Sequence, residues 1–231
     1  LLADHADAEA AGLKALASST LTGSLSSAKV ALVVLPGASD DDVTAIRSTL
    51  TDAGASVVGR VTLTDNWQST SMSQYRTTLS TTLASHLASG AAKTASADGV
   101  VGYSIVQVLT TTGAETDLLR QILTDESTPI MTVDEDANGS ATAIVAVGPR
   151  AQASAVSNAT PAAVTQSPDA WVGLSQALGS TNGVLVGDAS TRDAMISHVR
   201  ASGVTVTTVD SVGTTLAAVD TALALSTPAT G

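Results

Sequence analysis

The stretch AKVALVVLPGASDDDVTAIRSTLTDAGASVVGRVTLTD, residues 28–65, decides the fold because it contains one complete strand–helix–strand unit. Residues 30–35 form an uninterrupted apolar run, which is typical of a strand covered on both faces. A Pro-Gly pair ends this strand, and Ser39 with Asp42 three residues later predicts a capping box at the start of a helix. Apolar residues then recur every three or four positions until Gly54, which ends the helix.

A second strand, residues 55–63, completes the unit. A short crossover through one helix implies that the two strands are parallel. Strand and helix patterns alternate along the rest of the chain as well. We therefore expect an α/β fold with about seven strands, in which a mostly parallel, Rossmann- or flavodoxin-like sheet carries helices on both faces.

Three other segments complete the expected secondary structure. Residues 99–109 are predicted to be a strand because they show an alternating pattern and include a pair of glycines. Residues 129–133 and 141–147 are predicted to be short strands, joined through Asn138-Gly139 as one antiparallel hairpin, since this dipeptide favours tight turns. The sheet should therefore be parallel except at that hairpin.

The predicted organisation is a single domain with an appended helix. The N-terminal helix has leucines near heptad spacing, so it resembles the remnant of a coiled coil. A segment rich in Ala, Ser, Thr and Pro then separates two α/β halves of the same domain. The boundaries are 1–27 for the helix, 28–149 for the first half, 150–168 for the linker and 169–231 for the second half.

Composition excludes several classes of partner. The chain has 231 residues, a net charge of −11 and ten scattered Lys and Arg residues, which argues against binding to nucleic acids or anionic lipids. It has no cysteine, so disulfides, thiolate metal sites and cysteine nucleophiles are absent. No run approaches the ~20 apolar residues of a membrane-spanning helix. We expect no nucleic-acid partner.

The motifs of common enzymes are also missing. The sequence contains no G-x-G-x-x-G after a strand, no Walker A lysine and no G-x-S-x-G elbow. Gly99 and Gly102 are not expected to act as a phosphate loop, because the predicted segment follows no strand and opens no helix. We therefore expect a protein that is not an enzyme, with no catalytic residue and no cofactor.

Residues 28–65 resemble the mycobacterial copper transport protein B (MctB) family of actinobacterial envelope proteins. The features that carry the resemblance are the apolar strand, Pro36, Asp40-Asp41-Asp42, the amphipathic helix, Ala53-Gly54 and Val61-Thr62-Leu63-Thr64. Members of this family typically carry a transmembrane helix and a coiled coil ahead of the domain. The chain begins at Leu1, and we expect it to be a soluble fragment of an anchored protein.

The resemblance implies a function in copper export or envelope permeability, described for the family as channel formation in the outer membrane. It implies an extracytoplasmic domain tethered to a membrane through a missing N-terminal anchor. Homo-oligomers, envelope proteins and copper ions are the implied partners. Two alternatives stay open, namely an envelope scaffold or interaction module, and a degenerate α/β domain that binds a small ligand in the crevice near residues 40–42.

Two sets of residues are candidate metal ligands. Asp40, Asp41 and Asp42 follow the first strand, where carboxylates can hold Mg²⁺, but acids in a first turn also stabilise the positive end of a helix by ~0.3–1 kcal/mol each. Met195 and His198 lie one turn apart and are soft enough for Cu(I). We favour structural roles for both sets. A metal site at the triplet would also need an acid at a neighbouring strand end, but the strand predicted to end at Leu109 is followed by three threonines. A lone Met–His pair has too few soft ligands for a copper site.

A third set resembles a calcium loop. Asp134, Asp136, Asn138 and Gly139 match its opening D-x-D-x-N-G. The twelfth position, which requires a bidentate Glu, is Val145. A solvated hairpin tip accounts for the same residues, and we favour that interpretation.

Overall fold

A six-stranded sheet lies between two layers of helices in the computed structural model, which describes residues 2–151 and 166–227. The strands are β1 (Lys29–Val34), β2 (Ser56–Leu63), β3 (Met131–Glu135), β4 (Ala143–Val147), β5 (Gly183–Val186) and β6 (Thr207–Val209). Their order in the sheet is β3-β2-β1-β4-β5-β6. All neighbouring pairs are parallel except β2 and β3, which are antiparallel. The expected α/β class with a mostly parallel sheet is confirmed, with six strands in the described residues instead of seven.

Ten α-helices occur in the same described ranges. They are α1 (Leu2–Leu21), α2 (Asp40–Asp52), α3 (Asp65–Gln68), α4 (Ser73–His86), α5 (Gly90–Lys93), α6 (Ala97–Thr110), α7 (Ala114–Leu123), α8 (Pro168–Gly179), α9 (Met195–Ala201) and α10 (Thr215–Ser226). A single 3-10 turn, Thr70–Met72, precedes α4.

Alternate residues of β1 point to opposite faces of the sheet, as the period of a strand requires. Leu32 and Val34 join a buried cluster with residues of α1, α2 and α10. Val33 and Leu35 join a second cluster with residues of α4, α6, α7, α8 and α9. The helices on both faces explain why this strand is apolar at almost every position.

The first strand–helix–strand unit has the predicted structure. Helix α2 follows Ser39, the parallel strands β1 and β2 flank it, and Gly54 has a positive φ of 99° just past its end. The prediction of a capping box is wrong, because the Ser39 side chain makes no cap hydrogen bond in the described part of the chain. Asp42 instead accepts hydrogen bonds from Arg150.

The prediction of a strand at residues 99–109 is wrong, because this segment lies in α6. Ser96 caps the helix by accepting a hydrogen bond from the Gly99 backbone N–H at 3.1 Å. The glycines serve close packing: a Cβ built on Gly102 would lie 2.6 Å from the carbonyl oxygen of Gly173 in α8. A buried helix that is apolar on most sides has no helical period to distinguish it from a buried strand. The expectation that Gly99 and Gly102 open no helix is therefore wrong as well.

The predicted hairpin between β3 and β4 is also wrong. The turn at Asn138-Gly139 exists, with positive φ at both residues, but it carries the chain across two strands. A Cβ built on Gly59 of β2 would lie 2.6 Å from the Ala137 Cβ, and the Thr142 N–H donates to the Lys29 carbonyl of β1 at 2.8 Å. Strand β3 therefore pairs with β2 at one edge, whereas β4 enters the centre of the sheet.

The two ends of the predicted linker differ. Most of residues 150–168 lie outside the described residues, which resume at Gln166. From there the chain is part of the fold: Gln166 forms an isolated antiparallel bridge with Ser69, and Ser167 precedes α8 with Pro168 at its first position. The N-terminal helix ends at Leu21, and Leu16 in its last turns is 65% exposed.

Candidate functional site

A cleft opens where the strand order of the sheet reverses. From β1 the chain builds outward through β2 to β3, and it then returns to place β4 on the other side of β1. Val34 and Val147 are register partners at the carboxyl ends of these two central strands. Because the chain leaves the two strands in opposite directions, their ends leave a crevice, and open α/β sheets bind ligands at this point.

The cleft has a volume of about 660 Å³, which lies within the usual range for small-molecule sites. The loops after β1, β4 and β5 form its floor and sides, and α3, α8 and the residues before α9 complete it. The lining residues are Pro36, Gly37, Asp65, Gln68, Pro149, Arg150, Gln166, Trp171, Asp188, Ser190, Thr191, Asp193 and Met195.

Gln68 is the most buried polar side chain of this lining. The residue is 5% exposed at the end of α3, and its carbonyl oxygen accepts a hydrogen bond from the Ser167 N–H at 2.6 Å. Within the described residues its side-chain amide makes no hydrogen bond to protein, and its polar atoms are not fully buried. A primary amide offers two donors and one acceptor oxygen, so Gln68 presents unused hydrogen-bonding capacity to the cleft.

The charge of the cleft is negative. Asp65 and Asp193 are exposed and have no cationic partner in the described part of the chain. Within the same residues, the Asp188 carboxylate accepts hydrogen bonds from the N–H and the hydroxyl of Ser190, at 2.9 Å and 3.0 Å. Among the lining residues that the structure describes, Arg150 is the only Lys or Arg, and it already pairs with a carboxylate outside this lining.

Arg150 forms a bidentate pair with Asp42, at 2.8 Å from Nε to Oδ2 and 2.6 Å from Nη2 to Oδ1. These hydrogen bonds, followed by the attraction of the Asp42 charge, raise the pKa of Arg150 above its ordinary value. Asp42 is 3% exposed, so the pair holds the loop after β4 to the first turn of α2. The pair also offsets the positive charge of Arg150, which therefore does not compensate the carboxylates that line the cleft.

An apolar wall faces these carboxylates. Trp171 of α8 is 8% exposed and meets the ring of His198 edge-on, with 6.1 Å between centroids and 73° between planes. Met195 is buried where β4 and β5 end, and a Cβ on either Gly148 or Gly187 would collide with its Cε. Met195 therefore packs on backbone while His198 stacks on an indole, so the candidate copper ligands make separate contacts.

The acidic triplet also divides among different surroundings. Asp40 accepts a hydrogen bond from Arg60 of β2 at 2.9 Å, whereas Asp42 binds Arg150. Asp41 lines a separate groove of about 330 Å³ between α1, α2 and α10. Across residues 2–151 and 166–227, no three His, Cys, Asp or Glu side chains come together in a way that could hold a metal ion.

The residues of the calcium-like motif bind protein groups. Asp134 accepts a hydrogen bond from Thr62 at 2.6 Å. Asp136 pairs with Arg120 and accepts a second hydrogen bond from the Asn138 N–H at 2.8 Å. The hydrogen bond from Arg120 is the main cause of the lowered pKa of Asp136. Val145, in the twelfth position of the motif, is buried in β4.

Sequence reasoning placed a crevice near residues 40–42 and missed the residues that line it. One signal was available: Gly187-Asp188 follows a short apolar strand in the same way as Pro36-Gly37 follows β1. Carboxyl ends of parallel strands lie at one edge of a sheet, so these loops could have been placed together. Nothing in the sequence distinguishes Gln68 from the other polar residues around it.

No helix within the described ranges is both long enough and apolar enough to cross a bilayer.

Fold and cleft together define a doubly wound α/β domain with an open crevice at its strand reversal. The profile of the family described as "Copper transport outer membrane protein, MctB" matches residues 2–231. The chain therefore belongs to this family, and the resemblance seen at residues 28–65 is confirmed over nearly the whole length. The chain has no match among curated proteins.

Proposed function

We propose that this chain is the extracytoplasmic domain of a membrane-tethered envelope protein, which takes part in copper transport as a component of a channel-forming outer-membrane assembly. The observation that carries the proposal is the family match, because it extends over residues 2–231 and so includes every described helix and strand.

The shape of α1 supports a tether on its N-terminal side. Residues 3–9 of this helix are exposed, whereas Ala17 and Leu21 near its end are buried in the cluster that contains α2 and α10. The helix is thus fixed to the domain at one end and surrounded by solvent at the other. A preceding membrane anchor would continue from the exposed end.

The charge of the domain supports a role with cations. The net charge is −11, and six of the ten basic side chains form ion pairs with carboxylates, each involving an arginine. The remaining carboxylates give the surface a negative potential, which raises the local concentration of cations such as copper ions.

Deletion of the gene tests the proposal. We expect deletion to raise the copper content of the cells and their sensitivity to copper, and the full-length gene to restore both. A version that keeps everything upstream but lacks residues 28–227 should fail to restore them. Unchanged copper content and unchanged envelope permeability in the deletion strain would overturn the proposal.

Planar-bilayer recordings test the channel-forming part separately. We expect the full-length protein to give single-channel conductance steps and the isolated chain to give none. Steps from the isolated chain would show that the pore lies in this domain, contrary to the assignment of a tethered extracytoplasmic role.

A second candidate is an envelope scaffold, which is favoured by apolar side chains exposed on two neighbouring helices. Leu16 of α1 is 65% exposed, and Leu216 and Leu223 of α10 are 49% and 41% exposed. Helices α1 and α10 contact each other. Light scattering on the longer, full-length protein tests this candidate, because a strict monomer would contradict assembly through these helices.

A further inference from the structure

We propose that the cleft between the ends of β1 and β4 binds a small organic cation, a molecule that carries an ammonium or guanidinium group. The proposal goes beyond the role in copper transport and does not depend on it. Three features of the cleft carry it: an amide without a protein partner on a largely buried residue, the sign of the charge and the spacing of the carboxylates.

Gln68 offers a polar guest a hydrogen-bonding group in the wall of the cleft. Its residue is 95% buried, yet in the described ranges its side-chain amide has no hydrogen-bond partner. The amide atoms are not sealed from solvent, so a guest in the cleft can reach them. The backbone bond from Ser167 to the Gln68 carbonyl holds the residue at the wall of the cleft. A guest with N–H groups can donate to the amide oxygen.

The sign of the charge selects a cation. Asp65, Asp188 and Asp193 line the cleft, and Arg150, the only Lys or Arg among the described lining residues, is paired with Asp42. Doubly wound proteins that bind nucleotides place the phosphates at the start of the helix after β1. Here the first turn of that helix carries three aspartates, residues 40–42, which would repel a phosphate at that position.

The spacing of the carboxylates favours an organic cation over a metal ion. They do not converge as metal ligands within the described residues, and the Asp188 carboxylate already accepts two hydrogen bonds from Ser190. A volume of about 660 Å³ accommodates a guest of several heavy atoms, which can reach separated charges. The Trp171 indole provides an aromatic wall for its aliphatic part or its cationic group.

Nuclear magnetic resonance titrations with a matched set of probes test the proposal. Putrescine, 1,4-butanediol and succinate share a four-carbon chain and differ in the charge of their ends, and agmatine adds a guanidinium. The titrations should run at about 0.15 M salt, where unspecific attraction is screened beyond about 8 Å. We expect putrescine or agmatine to shift the Gln68 side-chain amide and Trp171 indole signals saturably, and butanediol and succinate to leave them unchanged.

Charge-removing variants show whether the binding belongs to the cleft. Asp193→Asn should weaken the binding of the cation about fivefold by removing one nearby charge. Asp7→Asn is the matched control, since Asp7 is exposed on α1 and does not line the cleft. It should leave the affinity unchanged.

Four results would overturn the proposal. The first is the absence of a saturable shift with putrescine or agmatine at about 10 mM, and the second is an equal shift with succinate. The third is an equal loss of affinity in Asp7→Asn and Asp193→Asn. The fourth is binding of a lysine-containing peptide when putrescine and agmatine both fail to bind. Deletion-strain phenotypes are independent of these titrations, so failure here leaves the copper proposal to its own test.

Discussion

The close contact between α6 and α8 predicts the outcome of Gly173→Ala. A Cβ built on Gly173 would collide with the carbonyl group of Asp98 and would lie 2.6 Å from the Gly99 nitrogen. These obstacles are backbone atoms of α6, so no side-chain rotation can relieve the contact. The two helices would have to separate by about 1 Å to restore an ordinary distance of about 3.5 Å between non-bonded atoms.

The magnitude follows from two opposing effects. Overpacking of a well-packed interior costs typically about 1–3 kcal/mol, and a clash with backbone places this site at about 3 kcal/mol. Alanine is about 1 kcal/mol more favourable than glycine inside a helix. We therefore expect a net loss of about 2 kcal/mol in the free energy of unfolding. With a urea m-value of about 2 kcal/mol/M, the unfolding midpoint should fall by about 1 M.

The same substitution at Gly12 is the control. A Cβ on Gly12, in the exposed part of α1, would meet no atom within 4 Å. Gly12→Ala should therefore keep only the gain in helix propensity, at most about 1 kcal/mol. Urea unfolding followed by circular dichroism compares both variants with the parent chain. A midpoint for Gly173→Ala equal to or above that of the parent would refute the packing argument.

Two further predictions concern ion pairs. Arg76 is fully buried; its Nε donates to Asp98 at 2.5 Å, and its Nη1 donates to the backbone carbonyls of two residues in the segment before α4. Arg76→Met should therefore lower the free energy of unfolding, measured with urea, by about 3–5 kcal/mol. A loss below about 1 kcal/mol would contradict this prediction. The pKa of Glu135 is lowered chiefly by its hydrogen bond from Arg47. The ion pair therefore stabilises the fold at pH values above the unfolded pKa of about 4.3, and this stabilisation is lost as the pH falls through the lower pKa of the folded state. Glu135→Gln should reduce the difference in unfolding free energy between neutral pH and about pH 3 by at most about 1 kcal/mol, because the side chains of Arg47 and Glu135 are both substantially exposed. Thermal unfolding at the two pH values measures this difference, and an unchanged difference would contradict the prediction.

Local signals were sufficient for the part of the fold that is local. The unit from β1 to β2 lies within residues 28–65, and its strand lengths, its helix and its parallel pairing are all set by nearby residues. The glycine that ends α2 acts through its own φ. Such features depend on conformational preferences within a few residues, so a sequence pattern predicts them well.

Errors arose where distant packing decides. The segment at 99–109 lies in a helix whose glycines pack closely against α8, and their partner Gly173 is more than sixty residues further along the chain. The turn at Asn138-Gly139 has the backbone that a hairpin needs, but contacts to Gly59 and Lys29 direct the chain away from a hairpin. Neither partner can be identified from the segment itself.

The cleft could be predicted only in outline. Its location follows from the reversal of strand order, which in turn required the placement of β4 beside β1. Its lining comes from segments as far apart as Pro36 and Met195. The missing hydrogen bond of Gln68 is a property of the folded chain, since in sequence this glutamine is one polar residue among many.

The acidic triplet explains how a nucleotide-type fold comes to favour the opposite charge. The negative charges at the start of α2 come from its own aspartate side chains and not from a phosphate. Asp42 binds Arg150 after β4, and Asp40 binds Arg60 of β2. These pairs satisfy the carboxylates and link α2 to strands on either side of β1. The helix dipole is then complemented by residues of the chain itself, so an anionic guest gains nothing there. The carboxylates that line the cleft, Asp65, Asp188 and Asp193, have no cationic partner among the described residues, and a cation is the guest that complements them.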